Sequence, residues 1–377
     1  MVSLSIVEAA NMARATDKTA GRPYVAVVTG GTSGIGSYAV QELARTHGKA
    51  GQAASRGLRV YIVGRRASDE LLQTCQTLCP FGQFVFVQAR DLALMRDVDR
   101  VCAEIVSKET AAAAAAATDR PASHPPKIDL LVASQGILHF GRREDTAEGL
   151  ERPAAIAYYG RMRVVDRLLP LLTQTVSPPA PGHVAFVMNP SLEGNVVADD
   201  LSLRQSKNYT LRNRGAQISS YTTLYGEALA ARHPETLALV HYYPGGVKSN
   251  ISETSSLGWF TTAVFRVAIP LMRIAQVPEA ESGQRVSFLG ETSVYPPAQY
   301  HSKTPAAAAG GPAAKVPVSE GGDGKTGSGA YRINYDDEVM KPVAKMAAYR
   351  EQGMVEAIYK HTQRAFEVIA SGKVFTE

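Results

Sequence analysis

Cysteine is scarce in this 377-residue sequence, and the few cysteines it has are clustered. They are Cys75, Cys79 and Cys102, and an odd number without partners elsewhere excludes a disulfide framework. No nearby histidine completes a metal site with them. We therefore expect a reducing compartment and no bound metal.

Long apolar runs are also lacking. Residues 1–18 contain no apolar core of the kind found in signal peptides. The most apolar later stretch, 257–274, is interrupted by Arg266, Pro270 and Arg273 and is too short to span a bilayer comfortably. These features predict a chain without a transmembrane segment and favour a cytoplasmic location.

A strong excess of one charge is missing as well. The chain has 40 Lys and Arg against 35 Asp and Glu, a net charge of +5, and the basic residues are scattered. Without a block of basic residues, nucleic acid is not an expected partner. The hydrophobic (45%) and charged (20%) fractions are typical of a folded globular protein and exclude a mainly disordered or collagen-like chain.

Short apolar runs alternate with helical patterns along the first two thirds of the chain. The predicted strands are 24–29, 58–63, 83–87, 128–133, 183–188 and 237–242, and the predicted helices are 37–47, 68–79, 93–108, 152–174 and 211–233. This alternation predicts an α/β fold with a doubly wound parallel sheet of Rossmann type and helices on both faces.

Three further segments have distinct compositions. The alanine run 111–117, followed by prolines, is predicted to extend a helix and then break it. Residues 304–330 are rich in Ala, Gly and Pro and are predicted to form a flexible loop. Residues 337–371 are helical in pattern, with an apolar stripe that indicates core or a dimer contact rather than a cofactor site. The stripe comprises Val339, Val343, Met346, Met354, Ile358, Phe366 and Ile369.

A glycine-rich loop, 29–36, lies between the first strand and the first helix. Its glycines, Gly30, Gly34 and Gly36, allow a tight turn and a close approach of a pyrophosphate to the backbone. The N-terminus of the following helix supplies unpaired N–H groups for that phosphate. The strand–loop–helix context favours a dinucleotide site over a purely structural turn.

This loop resembles that of the short-chain dehydrogenase/reductases, Thr-Gly-x-x-x-Gly-x-Gly, which Thr29, Gly30, Gly34 and Gly36 match in full. The resemblance covers about 22–250. It implies cofactor contacts along the phosphate loop, beside the adenine, beneath the nicotinamide and at the nicotinamide amide. These contacts fall on Thr29, Gly30, Thr32, Ser33, Gly34, Ile35, Gly36, Asp91, Leu92, Ser134, Gly136, Pro244, Gly245, Val247 and Ser249.

Two arginines, Arg65 and Arg66, follow the second strand. An acid at this place would bind the ribose 2′-hydroxyl of NAD, whereas an arginine accommodates the 2′-phosphate of NADP. Because no acid is present, charge complementarity favours NADP(H). The alternative is a solvated basic turn.

In the family a serine binds the substrate oxygen, and a tyrosine donates the proton. The segment 189–194 is similar to the family's Ser-x-x-Gly, which assigns that role to Ser191, although a turn or capping serine is the alternative. Tyr209 matches the first position of Tyr-x-x-x-Lys, but Asn213 occupies the lysine position. Counting back from the proline and glycine at 244–245 instead places the motif tyrosine near Arg214. Tyr221 and Tyr225 fit this count less well than Tyr209.

The positive charge that lowers the tyrosine pKa is therefore missing from its usual place. Lys207, Arg212 or Arg214 could substitute, although on an ideal helix their side chains are expected to point elsewhere. The family's supporting asparagine is replaced by Ala157, and of its Asn-Asn-Ala-Gly only Gly136 remains. The nucleotide-binding half thus matches the family well, and the proton-transfer half is altered.

Other polar side chains are expected near the mouth of the site, and the two tyrosines among them are interpreted as packing, with substrate contact as the alternative. These are His139, Tyr158, Tyr159, Arg161 and Arg163. The apolar segment 257–274 lies where the family carries its substrate lid and suggests a hydrophobic or polycyclic substrate.

The resemblance divides the chain into an N-terminal extension (1–21), a core (22–250), a lid region (251–303), the flexible loop (304–330) and a C-terminal helical extension (331–377).

The leading hypothesis is an atypical NADPH-dependent short-chain reductase that acts on a carbonyl or related group of a hydrophobic small molecule. The chain looks like divergent fungal members of the family, which are often met in secondary metabolism. One alternative is a non-redox isomerase, dehydratase or cyclase; another is a nucleotide-responsive binding protein. The family is commonly dimeric or tetrameric, which leaves a homo-oligomer open.

Overall fold

A single seven-stranded parallel sheet organises the chain. The computed structural model describes residues 1–119, 124–248, 276–300 and 312–377. The strands are β1 (Tyr24–Thr29), β2 (Leu58–Gly64), β3 (Gln83–Gln88), β4 (Leu130–Ala133), β5 (Gly182–Val187), β6 (Leu237–Tyr242) and β7 (Ala330–Ile333). Their order is β3-β2-β1-β4-β5-β6-β7, and every neighbouring pair is parallel. The predicted α/β fold of Rossmann type is confirmed.

Helices cover both faces of the sheet. Strands β1, β2, β5 and β6 are therefore buried along their whole length. The helices are α1 (Leu4–Thr16), α2 (Gly34–Ala50), α3 (Asp69–Leu78), α4 (Met95–Asp119), α5 (Arg152–Ala154), α6 (Gly160–Leu172), α7 (Leu211–Arg232), α8 (Glu279–Phe288), α9 (Ala344–Glu351) and α10 (Met354–Ala370). One apolar core contains α4, α6, α7 and α10, and the other contains α1, α2, α3 and α8. Among the described helices, none has the length and apolar content needed to cross a bilayer.

Most predicted elements are confirmed to within a few residues, including the extension of α4 through the alanine run to Asp119. The sequence reading missed α1 and β7, which is only four residues long. It also drew a single helix over 337–371, whereas the chain breaks between α9 and α10 at Gly353, whose φ is +74°. Of the predicted apolar stripe, Val339 lies outside both helices, pairs with Ile333 in an isolated bridge and is 38% exposed.

The region predicted as a lid and a flexible loop is only partly described. Residues 249–275 and 301–311 lie outside the described residues. Between them, α8 packs against α2 and α1, with Val286 and Phe288 fully buried in the core. From Pro312 the chain again contacts the core, because Ala313 is 3% exposed and the short 3₁₀ turn Pro312–Lys315 packs against α1.

His47 and His183 are two of the histidines that are buried in the described chain. His47 hydrogen-bonds Ser55 (Nδ1 to Oγ, 2.8 Å), and His183 reaches the main-chain oxygen of Tyr295 (3.1 Å). Desolvation, reinforced by nearby arginines, lowers the pKa of His47 to about 3 and that of His183 to about 4. Protonation of either imidazole is therefore coupled to unfolding.

These pKa values predict acid sensitivity. Between the folded pKa of about 3 and an unfolded pKa of about 6.5, the unfolded chain binds the extra proton, so the His47 contribution to stability falls as pH decreases from about 6.5. We expect His47→Gln to reduce the stability loss between pH 7 and pH 4 by up to about 3 kcal/mol. Chemical denaturation at pH 7, 5.5 and 4 measures this.

The matched control is His233→Gln, which removes a less buried histidine just after α7 and should leave most of the pH dependence in place. An identical pH dependence in His47→Gln and the natural chain would contradict the assignment of His47 as a buried neutral imidazole.

Candidate functional site

The loops after β1 and β4 form a crevice at the carboxyl edge of the sheet. These strands are neighbours, and the chain winds outward from them in opposite directions, which is where open α/β sheets bind ligands. Ser134, directly after β4, donates both its N–H (3.0 Å) and its hydroxyl (2.8 Å) to the main-chain oxygen of Thr29. The Thr29 hydroxyl in turn donates to the side-chain oxygen of Gln135. The two loops are thus held in direct contact.

The glycine loop can close only because its key positions lack side chains. Gly30 has φ +73°, and a Cβ there would lie 2.8 Å from the main-chain nitrogen of Gln135. A Cβ on Gly36 would lie 2.5 Å from the main-chain oxygen of Gly30 and 2.6 Å from the Ser134 hydroxyl. Gly34 also has a left-handed φ, +55°. The sequence prediction that these glycines permit a close backbone turn agrees with this geometry.

The N-terminus of α2 opens onto this loop. Ser33 is the N-cap residue, and its side chain makes no capping hydrogen bond, so in the described chain the first-turn N–H groups have no side-chain acceptor. Ile35 packs beside the core in the first turn of α2. Thr32 packs against Gly64, where a Cβ would lie 2.6 Å from the Thr32 hydroxyl. A cradle of free N–H groups at a helix N-terminus fits a phosphate.

Arg65 and Arg66 follow β2 immediately and are both exposed. They succeed Gly64, against which Thr32 of the glycine loop packs, so the basic turn borders the phosphate cradle. Ala67 and Ser68 add no acid, and α3 then begins with the exposed acids Asp69 and Glu70. The positive charge at the end of β2 is therefore confined to Arg65 and Arg66.

Asp91 and Leu92 lie three and four residues after β3. The Asp91 carboxylate accepts from the N–H of Ala93 (3.0 Å) and pairs with Arg152 (3.0 Å). Leu92 is buried, and its main-chain oxygen packs closely against Gly160 at the start of α6. Both residues stand at the carboxyl edge of the sheet, where the resemblance places the adenine.

A buried arginine occupies the floor of the crevice. The Arg161 guanidinium donates to the main-chain oxygens of Gln135 (3.0 Å) and Val187 (2.8 Å), which joins the ends of β4 and β5. It lies 3.6 Å from the place of a Cβ on Gly136 and is 3% exposed. Without a carboxylate partner among the described residues, burial lowers the Arg161 pKa to about 9. The side-chain nitrogen of Gln135 is also buried, with no partner in the described chain.

The loop after β6 is held by contacts with Tyr335 and Val277. Gly245 has φ +73°, and a Cβ there would lie 3.1 Å from both Tyr335 and Val277. Val277 donates its N–H to the main-chain oxygen of Gly246 (2.8 Å). Pro244, buried, and Val247, partly buried, flank this turn, and Ser249 lies outside the described residues.

Ser191 sits on a short 3₁₀ turn, Pro190–Leu192, directly after β5. Its hydroxyl is exposed and donates to the side-chain oxygen of Asn189. Ser219 of α7 donates to the main-chain oxygen of Asn189 (2.9 Å), which holds the turn against that helix. Ser191 thus presents a hydroxyl at the carboxyl edge of the sheet, as the sequence analysis expected.

Tyr209 precedes α7 rather than lying on it, and this changes its neighbours. Its hydroxyl donates to the Glu151 carboxylate (2.7 Å) and accepts from the Arg214 guanidinium (2.8 Å). The expectation that Arg214 points elsewhere is therefore wrong, because the ideal-helix direction does not apply to a residue before the helix. Asn213 instead donates to the main chain of Asn208 (2.9 Å).

Burial and the adjacent Glu151 raise the pKa of Tyr209 to about 12, against the opposing effect of Arg214. The phenol is therefore protonated at neutral pH. Ser191 and Tyr209 have separate partners, and no hydrogen bond among the described residues joins them.

Most of the remaining polar residues that were predicted near the mouth of the site contact other helices of the core. Tyr158 and Tyr159, on the π-helical turn Ala155–Tyr159 that also carries Ala157, hydrogen-bond Thr362 (2.6 Å) and His361 (2.8 Å) of α10. Arg163 pairs with Asp99 of α4, through contacts of 2.6 and 2.8 Å. His139 stays near the site, since its main-chain oxygen accepts from Arg214.

Sequence reasoning missed Gln135 and Glu151 as members of the site. Gln135 stands at a position where the family's Asn-Asn-Ala-Gly is not kept, and a residue that departs from the motif gives no local signal of a role. Glu151 is the N-cap of α5, and its carboxylate accepts from the N–H of Ala154 (2.7 Å). This local role explains an acid at that position, so the sequence gives no sign of its contact with Tyr209. Both contacts join residues distant in sequence.

Comparisons with known proteins identify the family and the fold. An oxidoreductase of Emericella nidulans is 31% identical over 96% of this chain and 97% of its own length. A short-chain dehydrogenase/reductase of Stachybotrys chartarum is 30% identical over 98% of each chain. The solved structure of an uncharacterized protein from Mycobacterium paratuberculosis shares the fold, with a TM-score of 0.50 and 17% identity over 93% of this chain and 97% of that one. No family model matches the chain. Two curated relatives at 30% identity or more, each covering nearly the full chain, place this protein in the short-chain dehydrogenase/reductase family of oxidoreductases.

Proposed function

We propose that this oxidoreductase uses NADP(H) to reduce a carbonyl or related group of a small molecule with a hydrophobic part. The observation that carries the proposal is the glycine cradle at the N-terminus of α2, bordered by Arg65 and Arg66. The free N–H groups suit the pyrophosphate, and the two exposed guanidinium groups suit a 2′-phosphate. A place in secondary metabolism is part of this proposal and rests on the resemblance to divergent fungal members of the family.

The bound cofactor would supply the hydride. The residues of this chain would hold the cofactor and donate the proton. Asp91 and Leu92 would flank the adenine, while Ser134 and Gly136 would line the crevice between the strands. Pro244 and the turn that follows it would hold the nicotinamide end of the cofactor. The unpaired side-chain nitrogen of Gln135 is a further donor in this crevice.

The Ser191 hydroxyl would turn from Asn189 toward the substrate oxygen. Its hydrogen bond would polarise the substrate carbonyl. Tyr209 would donate the proton, because its high pKa keeps the phenol protonated at neutral pH. The phenol would turn its single proton from Glu151 toward the substrate oxygen, and Arg214 would stabilise the phenolate that donation leaves behind. This arrangement replaces the family's lysine by a carboxylate and a guanidinium.

The hydrogen-bonded Glu151–Tyr209–Arg214 group favours a second candidate function, proton transfer without net redox, as in an isomerase, dehydratase or cyclase. Absorbance at 340 nm during turnover separates the two candidates. Product formed without loss of NADPH would favour the non-redox reaction, whereas stoichiometric loss of NADPH supports the reductase. Failure to bind either NADPH or NADH would contradict both cofactor roles.

A substitution in the cradle tests the proposed cofactor site. Gly36→Ala places a Cβ 2.5 Å from the Gly30 carbonyl, so the loop must open, and we expect NADPH binding to weaken more than about tenfold. Isothermal titration measures the dissociation constant. Gly226→Ala of α7 is the control, because a Cβ there meets only Leu239 at 3.9 Å. Equal NADPH affinity in both variants would contradict the proposed site.

Removal of both arginines tests the coenzyme preference. In the double variant Arg65→Ser, Arg66→Ser we expect the NADPH dissociation constant to rise about tenfold or more, since charge-assisted contacts to the 2′-phosphate are lost. NADH affinity should stay within about twofold. Arg364→Ser, an exposed change on α10, is the matched control. A parallel loss of NADH affinity would show that the pair supports the fold rather than the phosphate.

Loss of the phenol tests the proton donor. Tyr209→Phe should lower turnover about 100-fold or more if Tyr209 is the acid, with little change in NADPH affinity. Tyr225→Phe also removes a buried hydroxyl, one that accepts from Gln363 at 2.8 Å, and should retain most activity. An unchanged rate in Tyr209→Phe would remove Tyr209 from the mechanism.

A further inference from the structure

A cavity of about 690 Å³ opens beside the proposed proton donor. Its walls are the loop 140–143 after β4, the segment 204–209 and the start of α7. Tyr209, whose hydroxyl is held by Glu151 and Arg214, forms part of the wall. A molecule in this cavity would therefore contact Tyr209.

The cavity wall is strongly basic. Four of its lining residues are arginines, and none of the described lining residues is an acid: the arginines are Arg142, Arg143, Arg204 and Arg214. Just outside the lining, Asp145 approaches Arg143 (2.8 Å) and Arg204 (3.5 Å), and Glu151 approaches Arg214 (3.5 Å). Arg204 also donates to the main-chain oxygens of Phe375 (2.7 Å) and Glu377 (3.0 Å). Among the described side chains, Asp145 and Glu151 are the carboxylates that pair with these arginines.

Arg142 is the member of this group that is free to bind a ligand. It is exposed, and none of the described side chains or carbonyls accepts a hydrogen bond from its guanidinium. Arg143, by contrast, is committed to the main-chain oxygens of Ser202 and Leu203 as well as to Asp145. The excess positive charge therefore resides on an exposed side chain at the cavity wall.

The same wall exposes apolar surface. Phe140 is 42% exposed and Leu211 is 55% exposed, and both line the cavity. Exposed apolar side chains that are grouped in one concavity, unlike singly scattered ones, mark a surface that binds a ligand or partner. A purely inorganic anion would use the arginines and leave this apolar surface in water.

We propose that the substrate is an amphipathic carboxylic acid, whose carboxylate pairs with Arg142 and whose hydrocarbon part packs on Phe140 and Leu211. This inference rests on the proposed function and refines its substrate class. It adds a negative charge to the hydrophobic substrate that the sequence suggested from 257–274, a segment outside the described residues. The charge and the apolar surface of the cavity are complementary to such a molecule.

Decanoate and decan-1-ol test this proposal, because they share an alkyl chain and differ in charge. In the presence of saturating NADPH, we expect calorimetry to give a dissociation constant at least about tenfold lower for decanoate than for decan-1-ol. Hexanoate should bind more weakly than decanoate, by about fourfold for each methylene that is no longer buried.

Variants assign the effect to the cavity. Arg142→Gln should abolish the preference for the acid and leave decan-1-ol affinity unchanged, whereas Arg142→Lys should retain part of it. Phe140→Ser should weaken decanoate and decan-1-ol alike. Lys345→Gln, an exposed charge change on α9 outside the cavity, should leave both constants unchanged.

Equal binding of the acid and the alcohol, binding of neither up to millimolar concentration, or a preference that survives Arg142→Gln would overturn the proposal. NADPH affinity is measured on each sample. Normal NADPH binding without acid preference would reject the substrate class alone, and absent NADPH binding would reject the proposed function.

Discussion

The contact between the loops after β1 and β4 is the constraint on which the proposed cofactor site depends. Ser134 donates twice to the Thr29 carbonyl, and this approach is feasible only while Gly30 and Gly36 carry no side chains. The same closure directs the N-terminus of α2 into the crevice. A fixed array of N–H groups needs little reorganisation to receive an anion, so the fold itself prepares the site.

Buried and partly buried cations set the electrostatics of the neighbouring chemistry. Arg161 lies beneath the crevice with carbonyl partners alone, while Arg214 contacts the phenol of Tyr209 from the side. Burial and Glu151 raise the pKa of that phenol, and Arg214 opposes them. The balance of charges is therefore reached through residues from three separate segments, in place of a lysine one helical turn from the tyrosine.

The C-terminal part of the chain completes the core that supports this site. α10 packs on α7, and its Thr362 and His361 bind the hydroxyls of Tyr158 and Tyr159. β7 adds the last strand beside β6, and Arg332 of that strand pairs with Glu193 (2.8 Å), two residues after Ser191. These contacts join the end of the chain to the turn that presents the serine.

The sequence by itself determined the sheet and the phosphate loop, since strand periodicity and glycine spacing are local properties that neighbouring residues specify. It also identified Ser191, Tyr209 and the arginine pair after β2 as candidates. Only the tertiary structure decided which groups meet Tyr209, because Glu151 and Arg214 reach it from different segments and the phenol stands before α7. It likewise decided that β7 joins the sheet, since four residues carry too little pattern to predict a strand whose stability comes from pairing with β6.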